Sequence, residues 1–407
     1  MKGTQPNKGN WKAGGMITRA NCFTYLIAAL SIVLHTGCAS LDADFGQLPG
    51  ERQRFRVLGP TRTYTTSQSW IEVSFANLTY NAGKVLYHLG PDAIPLAIVQ
   101  GNGYGHGLDT VATAFLGSGF KELGVADINE AITLRQEGVR APIHIMSQPD
   151  FLTARVLALE DVEVYVEDLE FARVLCEETM AVKRESPMQV HIKVALGSAV
   201  QGASGLEAAM ELAEYIGTCT SLHLRGITAE HADPKEVEAF AGKLRAAGAR
   251  FGVTGTTPST ALLRSKGDYG ATGIVHVGAA LYGQQDIVPG TRPAARWLTR
   301  IATLKKVRVG DMLHEGHHSK KDMTVAVIYH GYTDGFQVDE VSIRGVICSR
   351  VDMGNSMHVA IIDVSAVQDV QVGDMVTLHG TDGKTELKKP WNLAAVSISV
   401  PRIPKWD

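Results

Sequence analysis

From about residue 96 the chain repeats one pattern: a short apolar run rich in β-branched residues, then a polar stretch in which apolar positions return every three or four residues. The runs are Leu96–Val99, Leu123–Ala126, Ile143–Met146, Val162–Val166, Val190–Ala195, Leu222–Ile227, Phe251–Thr254 and Gly273–Val277. Stretches with helical periodicity between them include Ile128–Glu137, Leu152–Leu159, Leu169–Lys183, Gly205–Tyr215 and Pro234–Ala247. Short runs that are apolar throughout suit strands buried on both faces, and their alternation with helices predicts a (β/α)8 TIM barrel over residues 69–284. After residue 285 the runs Trp297–Val309, Met323–His330, Ser342–Cys348, Met357–Val364 and Met375–Gly380 are separated by Gly and Asp turns without long helical stretches. They predict a C-terminal β domain over 285–407. Ser69–Ser74, reading SWIEVS, alternates like a strand ahead of the barrel and is expected to pair with that β domain.

The N-terminus follows different rules. Lys2, Lys8, Lys12 and Arg19 precede the apolar run Phe23–Leu34, and small residues follow around Cys38. That is the layout of an export signal, and the run is shorter than the roughly 20 apolar residues of a membrane span. Leu34–Cys38 resembles a bacterial lipobox in which Cys38 is the lipidation site, although His35 stands where an aliphatic residue is usual. Residues 1–38 are therefore expected to be a signal peptide of lipoprotein type, with ordinary cleavage as the alternative, and 39–68 a tether. The expected location is the periplasm or a membrane-anchored envelope position.

Composition narrows the function classes. The chain has 407 residues, 45% of them hydrophobic, with a formal net charge of −3. Nothing in that balance suits nucleic acid, and contact with a membrane is expected only through a lipid anchor or the signal segment. Beyond the signal, Cys176, Cys219 and Cys348 remain, without metal-like spacing; buried free thiols are expected, and one disulfide is the alternative.

The chemistry is concentrated in Leu96–Gly107, LAIVQGNGYGHG, where an apolar strand runs into a polar, glycine-rich turn. Together with WIEVS at 70, GVADINEA at 124, VHIKV at 190, PSTALLR at 258, GAALYG at 278, GYTDGF at 331 and VPRI at 400, it resembles the alanine racemases, pyridoxal-phosphate enzymes of fold type III. The resemblance spans Trp70 to Ile403 and implies a head-to-tail homodimer that takes an amino-acid substrate.

It also implies site residues, several of them altered. The family's Schiff-base lysine corresponds to Gln100, and an amide cannot form an imine. The second base, a tyrosine donated by the partner subunit, corresponds to His314, or to His317 or His318 in another register. The arginine facing the pyridine nitrogen corresponds to His276, and the one meeting the ring hydroxyl to Val200. A Thr-His pair corresponds to Ala229 and Glu230, and a late tyrosine to Ile398. The phosphate-holding positions are kept as Tyr104, Ser259, Gly278 and Ala279. Lys193 corresponds to a lysine at the barrel mouth that can be carbamylated; a structural charge is expected here.

The leading expectation is thus an exported racemase-like protein without Schiff-base chemistry, a binding or structural module with pyridoxal phosphate held non-covalently or lost, and with room for a small phosphorylated ligand. The alternatives are an active periplasmic amino-acid racemase using a base such as His314, and unrelated chemistry on the same barrel. No carboxylate or cysteine cluster accompanies the histidine-rich loop HEGHHSKK at 314–321 at metal-ligand spacing, so loop polarity suffices to explain it.

Overall fold

The computed structural model describes residues 68–196, 200–257, 263, 273–283, 287–314, 316–335, 337–352, 356–387, 393, 396 and 400–406. Ser259, Ile398, Cys38, the signal peptide and the tether lie outside them.

Eight parallel strands close a barrel in sequence order: β2 (Ile94–Ile98), β3 (Glu122–Val125), β4 (Ile143–Ile145), β5 (Glu163–Val166), β6 (Met188–Lys193), β7 (Leu222–Glu230), β8 (Val253–Thr257) and β9 (Gly273–Val277). The expected (β/α)8 barrel is present. Helices α1 (Phe75–Leu89), α2 (Leu108–Ser118), α3 (Ile128–Gln136), α4 (Ala154–Leu159), α5 (Leu169–Ala181), α6 (Gly205–Thr218) and α7 (Pro234–Ala246) accompany the strands. Their starts follow the sequence: Ser74, Asp127, Asp168 and Asp233 accept hydrogen bonds from the first-turn N–H groups of α1, α3, α5 and α7. In α1 the buried positions Leu78, Asn81, Ala82, Val85 and Leu89 form one stripe. Asn81 within that stripe bonds Leu281 O and both Arg292 O and Arg292 N, which fixes the connection out of the barrel.

The second body is a β domain. Strand β1 (Ser69–Ser74) pairs antiparallel with β10 (Ala295–Val307) and parallel with β19 (Arg402–Lys405). The chain therefore starts and ends its described part in the same sheet. Strand β10 also pairs with β13 (Met323–Ile328) and β17 (Met375–Thr381). Strands β14 (Glu340–Ile343), β15 (Val346–Ser349), β16 (Ala360–Asp363) and β18 (Glu386–Leu387) extend the sheet. A separate hairpin joins β11 (Met312–His314) to β12 (His317–His318). Trp297 is fully buried in this domain, with its indole N–H on Ser69 Oγ and its ring against His330.

The cysteine expectation needs correction. Cys176 of α5 and Cys219 just after α6 form a disulfide, while Cys348 is free and buried. The two cysteines lie 43 residues apart, and only the packing of α5 beside α6 brings them together.

Strand boundaries shift modestly. The last two barrel strands before closure are Leu222–Glu230 and Val253–Thr257 rather than Leu222–Ile227 and Phe251–Thr254. The extra residues, Thr228–Glu230 and Gly255–Thr257, are small or polar, so apolarity alone stops too early at the barrel mouth.

Candidate functional site at the barrel mouth

The turn after β2 is left-handed. Gly101, Asn102 and Gly103 have φ values of 64°, 55° and 63°, and Tyr104 follows at 52°. Such a run costs ordinary residues about 1–2 kcal/mol each, which Gly101 and Gly103 avoid and Asn tolerates. Tyr104 alone bears a bulky side chain there, and the strain is held by neighbours. Glu130 Oε1 accepts from Asn102 N at 2.9 Å, Asn102 Oδ1 accepts from Leu108 N at 2.9 Å, and Arg402 Nε donates to Gly105 O at 3.0 Å. Three separated motifs, NGYGHG, GVADINEA and VPRI, thus converge on one turn. Glu130 and Arg402 are positioning residues that the sequence reading did not single out, although both sit within motifs it quoted.

The turn sets Tyr104 against the loop after β9. A Cβ added at Gly278 would lie 2.3 Å from the Tyr104 hydroxyl, so only glycine permits this approach. The Tyr104 ring packs on Tyr282 at 4.6 Å, and the Tyr282 hydroxyl donates to Ile98 O at 2.9 Å. Gly278 and Ala279 open the short helical turn Ala279–Tyr282. Tyr104, Gly278 and Ala279 are therefore brought together, with the Tyr104 hydroxyl making no hydrogen bond among the described residues. Burial raises its pKa, which keeps it a hydrogen-bond donor. Loops after the seventh and eighth strands are where such barrels bind phosphate.

Gln100 is half-buried between β2 and this turn. His276 is 1% exposed and faces into the barrel, not toward the phosphate end. Its Nε2 lies 2.9 Å from the Tyr165 hydroxyl and its Nδ1 3.1 Å from Thr257 Oγ1, so both ring nitrogens are engaged. Burial, followed by the neighbouring His144, His191 and Lys193, holds it well below the usual histidine range and neutral at pH 7.

Lys193, at the end of β6, is also about 1% exposed. Its Nζ is 2.9 Å from Glu230 and 3.4 Å from Glu167, and it donates to Gln201 Oε1 at 3.3 Å. Two carboxylates around the ammonium leave no place for a carbamate, which would add a third negative group. Val200 is 89% exposed, and Ala229 is buried in β7. His314 lies in the β11–β12 hairpin, and no hydrogen bond, ion pair or ring contact joins it to Gln100, Tyr104 or His276 among the described residues.

A pyridoxal phosphate molecule finds a matching phosphate end here in Tyr104, Gly278 and Ala279. The ring end does not match: Gln100 offers no amine, His276 is committed to two hydroxyls, and Lys193 is held by two glutamates.

This barrel with its β domain has the architecture of solved alanine racemases. It is similar to that of Clostridium difficile 630 with a TM-score of 0.75 at 23% identity, covering 84% of this chain and 97% of that one. In sequence it is 28% identical to the alanine racemase of Nostoc sp. over 367 residues, 83% of this chain and 94% of that relative. It is 31% identical to that of Chlorobaculum tepidum over 352 residues, 80% of this chain and 90% of that relative. The family models for the N-terminal and C-terminal domains of alanine racemase match residues 73–286 and 294–399. The chain belongs to the alanine racemase family.

Proposed function

We propose that this alanine-racemase-like protein works at the cell envelope as a non-covalent binder of a small phosphorylated ligand, pyridoxal phosphate included, and does not carry out Schiff-base racemisation. The observation that carries this reading is Gln100, which lies two residues past the end of β2 and leads into the turn that sets Tyr104 against Gly278. By the family pattern an amine belongs at that position, and Lys193, the buried lysine at the mouth, is bound up in ion pairs with Glu167 and Glu230. In this reading Tyr104 donates to the phosphate, and the N–H groups of the 278–280 turn add partial positive charge. His276 serves the barrel's internal hydrogen bonding.

The disulfide Cys176–Cys219 supports the envelope location, since such bonds persist in oxidising compartments. In this reading Cys38 carries the lipid anchor, and the protein is a homodimer like its relatives.

The test is to incubate the protein lacking residues 1–38 with pyridoxal phosphate, reduce with borohydride and map adducts by mass spectrometry. The expected result is no site-specific adduct under conditions that label an active racemase. A stoichiometric adduct at Lys193 would reverse the proposal and make the protein a racemase with a relocated lysine.

A second reading is a working racemase using His314 as base. His314 Nδ1 is buried without a hydrogen-bond partner among the described residues, which leaves it available for chemistry. Production of a D-amino acid by the purified dimer, abolished by His314→Ala, would favour this reading over the first.

A further inference from the structure

The lower half of the barrel contains a cluster that neither the phosphate end nor the mouth explains. Glu122 begins β3, His144 lies in β4, Glu163 begins β5 and His191 lies in β6. These are four consecutive strands of the closed barrel, and all four side chains are buried. Barrel interiors of this kind are ordinarily filled by branched apolar residues. Here two imidazoles and two carboxylates meet instead.

Their arrangement is specific. Arg225 of β7 holds one oxygen of each carboxylate, bonding Glu122 Oε1 and Glu163 Oε1, the latter at 2.6 Å, and it also reaches Glu163 Oε2 at 2.6 Å. The second oxygens face the histidines. Glu122 Oε2 is 2.8 Å from His144 Nε2, and Glu163 Oε2 is 2.7 Å from His191 Nε2 and 3.7 Å from His144 Nε2. Glu122 Oε2 and His144 Nε2 meet as an ion pair without an aligned hydrogen bond, and His144 Nδ1 has no hydrogen-bond partner among the described residues. One ligand atom each from His144, Glu163 and His191 lies within 4.8 Å of the others.

We propose that these residues form a structural site for a divalent transition metal of the zinc type, with His144, His191 and Glu163 as ligands and Glu122 Oε2 next to the site. Two imidazole nitrogens and a carboxylate oxygen suit zinc at about 2.0–2.2 Å, with the fourth tetrahedral position open to Glu122 or a water as the ligand atoms draw together around the ion. Arg225 supplies the outer hydrogen bonds that orient the carboxylates. Its side chain is 22% exposed and keeps its own charge near solvent, while the ion's two charges offset the two carboxylates.

A cavity of about 150 Å³ at this end of the barrel is lined by Glu163 together with Ile143, Gln189, Arg135, Arg140 and Arg184. The three ligands come from consecutive strands, so the metal would tie β4, β5 and β6 together.

The experiment uses the soluble protein stripped with a chelator and dialysed. Zinc addition followed by desalting should leave one zinc per chain by elemental analysis. Cobalt(II) should give the intense visible absorption of a tetrahedral site. His144→Gln should lower zinc affinity at least 100-fold, and His317→Gln with His318→Gln, in the exposed histidine loop, should leave it unchanged. Wild-type protein that retains less than about 0.1 zinc per chain, or cobalt with only the weak octahedral spectrum, would overturn the proposal and assign the cluster's missing positive charge to a proton on a histidine. Loss of binding in the double loop variant alone would overturn it as well, by moving the metal to the surface.

Discussion

The two ends of the barrel mouth differ in how their polar groups are satisfied. At the phosphate end, the Tyr104 hydroxyl has no partner among the described residues, and Gly278 keeps the space beside it clear. At the ring end, Lys193 lies between Glu167 and Glu230, and His276 between Tyr165 and Thr257. One end leaves a buried hydroxyl without a partner among the described residues; the other pairs its buried groups within the chain. A buried charge needs partners whether or not a ligand is present. A family member that no longer holds the ring of its cofactor would therefore be expected to rebuild the buried part of the site, and the substitution of Glu230 beside Lys193 fits that logic. The phosphate end, nearer solvent and made largely of backbone, carries no such penalty.

The strongest way to break this contrast is Lys193→Met. If the ring end is a closed ion-pair cluster, removing its cation leaves two adjacent carboxylates uncompensated. Urea unfolding should show a loss of about 3–5 kcal/mol. A loss below about 1 kcal/mol would mean that Lys193 is not bound up and is available to a ligand.

A second test is pH. His106 lies beneath the phosphate end, its ring 4.8 Å from Tyr282 and its Nδ1 3.1 Å from Tyr104 O. Burial lowers its pKa to about 4, against the opposing hydrogen bond to Tyr104. Between about pH 6.5 and pH 4 the unfolded chain takes up a proton that the folded chain refuses. Stability should therefore fall as pH drops through this window, by on the order of 3 kcal/mol from His106. His276, shifted the same way, adds to the fall. Urea midpoints measured from pH 7.5 to pH 4 should show the slope, and His106→Gln should flatten it.

The smallest and most selective effect is Tyr104→Phe. Stability should change by less than about 0.5 kcal/mol, because the hydroxyl has no hydrogen-bond partner to lose among the described residues. Affinity for pyridoxal phosphate should fall about 10- to 100-fold, the value of a hydrogen bond to a charged group, while affinity for unphosphorylated pyridoxal stays unchanged. Equal losses for both ligands would mean that Tyr104 does not meet the phosphate.

Much of the fold is legible in the sequence. The barrel strands are short and apolar and the helices amphipathic, so periodicity located most of them. The β domain announced itself where helices stopped. Residues 251–257 show the limit: Thr254, Thr256 and Thr257 form a strand that apolarity underestimates, because strand ends at a barrel mouth face polar neighbours. The site was legible only in part. Gln100 and Tyr104 stand out because they interrupt a recognisable motif, but nothing local in the sequence marks Glu130 or Arg402 as the residues that hold the left-handed turn. Their partners lie 28 and 297 residues away. The cysteines were harder still, since a pairing across 43 residues depends on how two helices lie side by side.

What the sequence by itself determined is what local chemistry can determine: where apolar runs recur, which turn needs glycine, and that an amide rather than an amine follows the first barrel strand. What only the tertiary structure decided is which buried charges meet. Glu122, His144, Glu163, His191 and Arg225 come from five different strands, and Lys193 meets its two glutamates from the strands on either side of its own. Closing the barrel places them within hydrogen-bonding distance in a medium that cannot leave them unpaired, so the same side chains that read as scattered polar positions along the chain become buried polar clusters inside it.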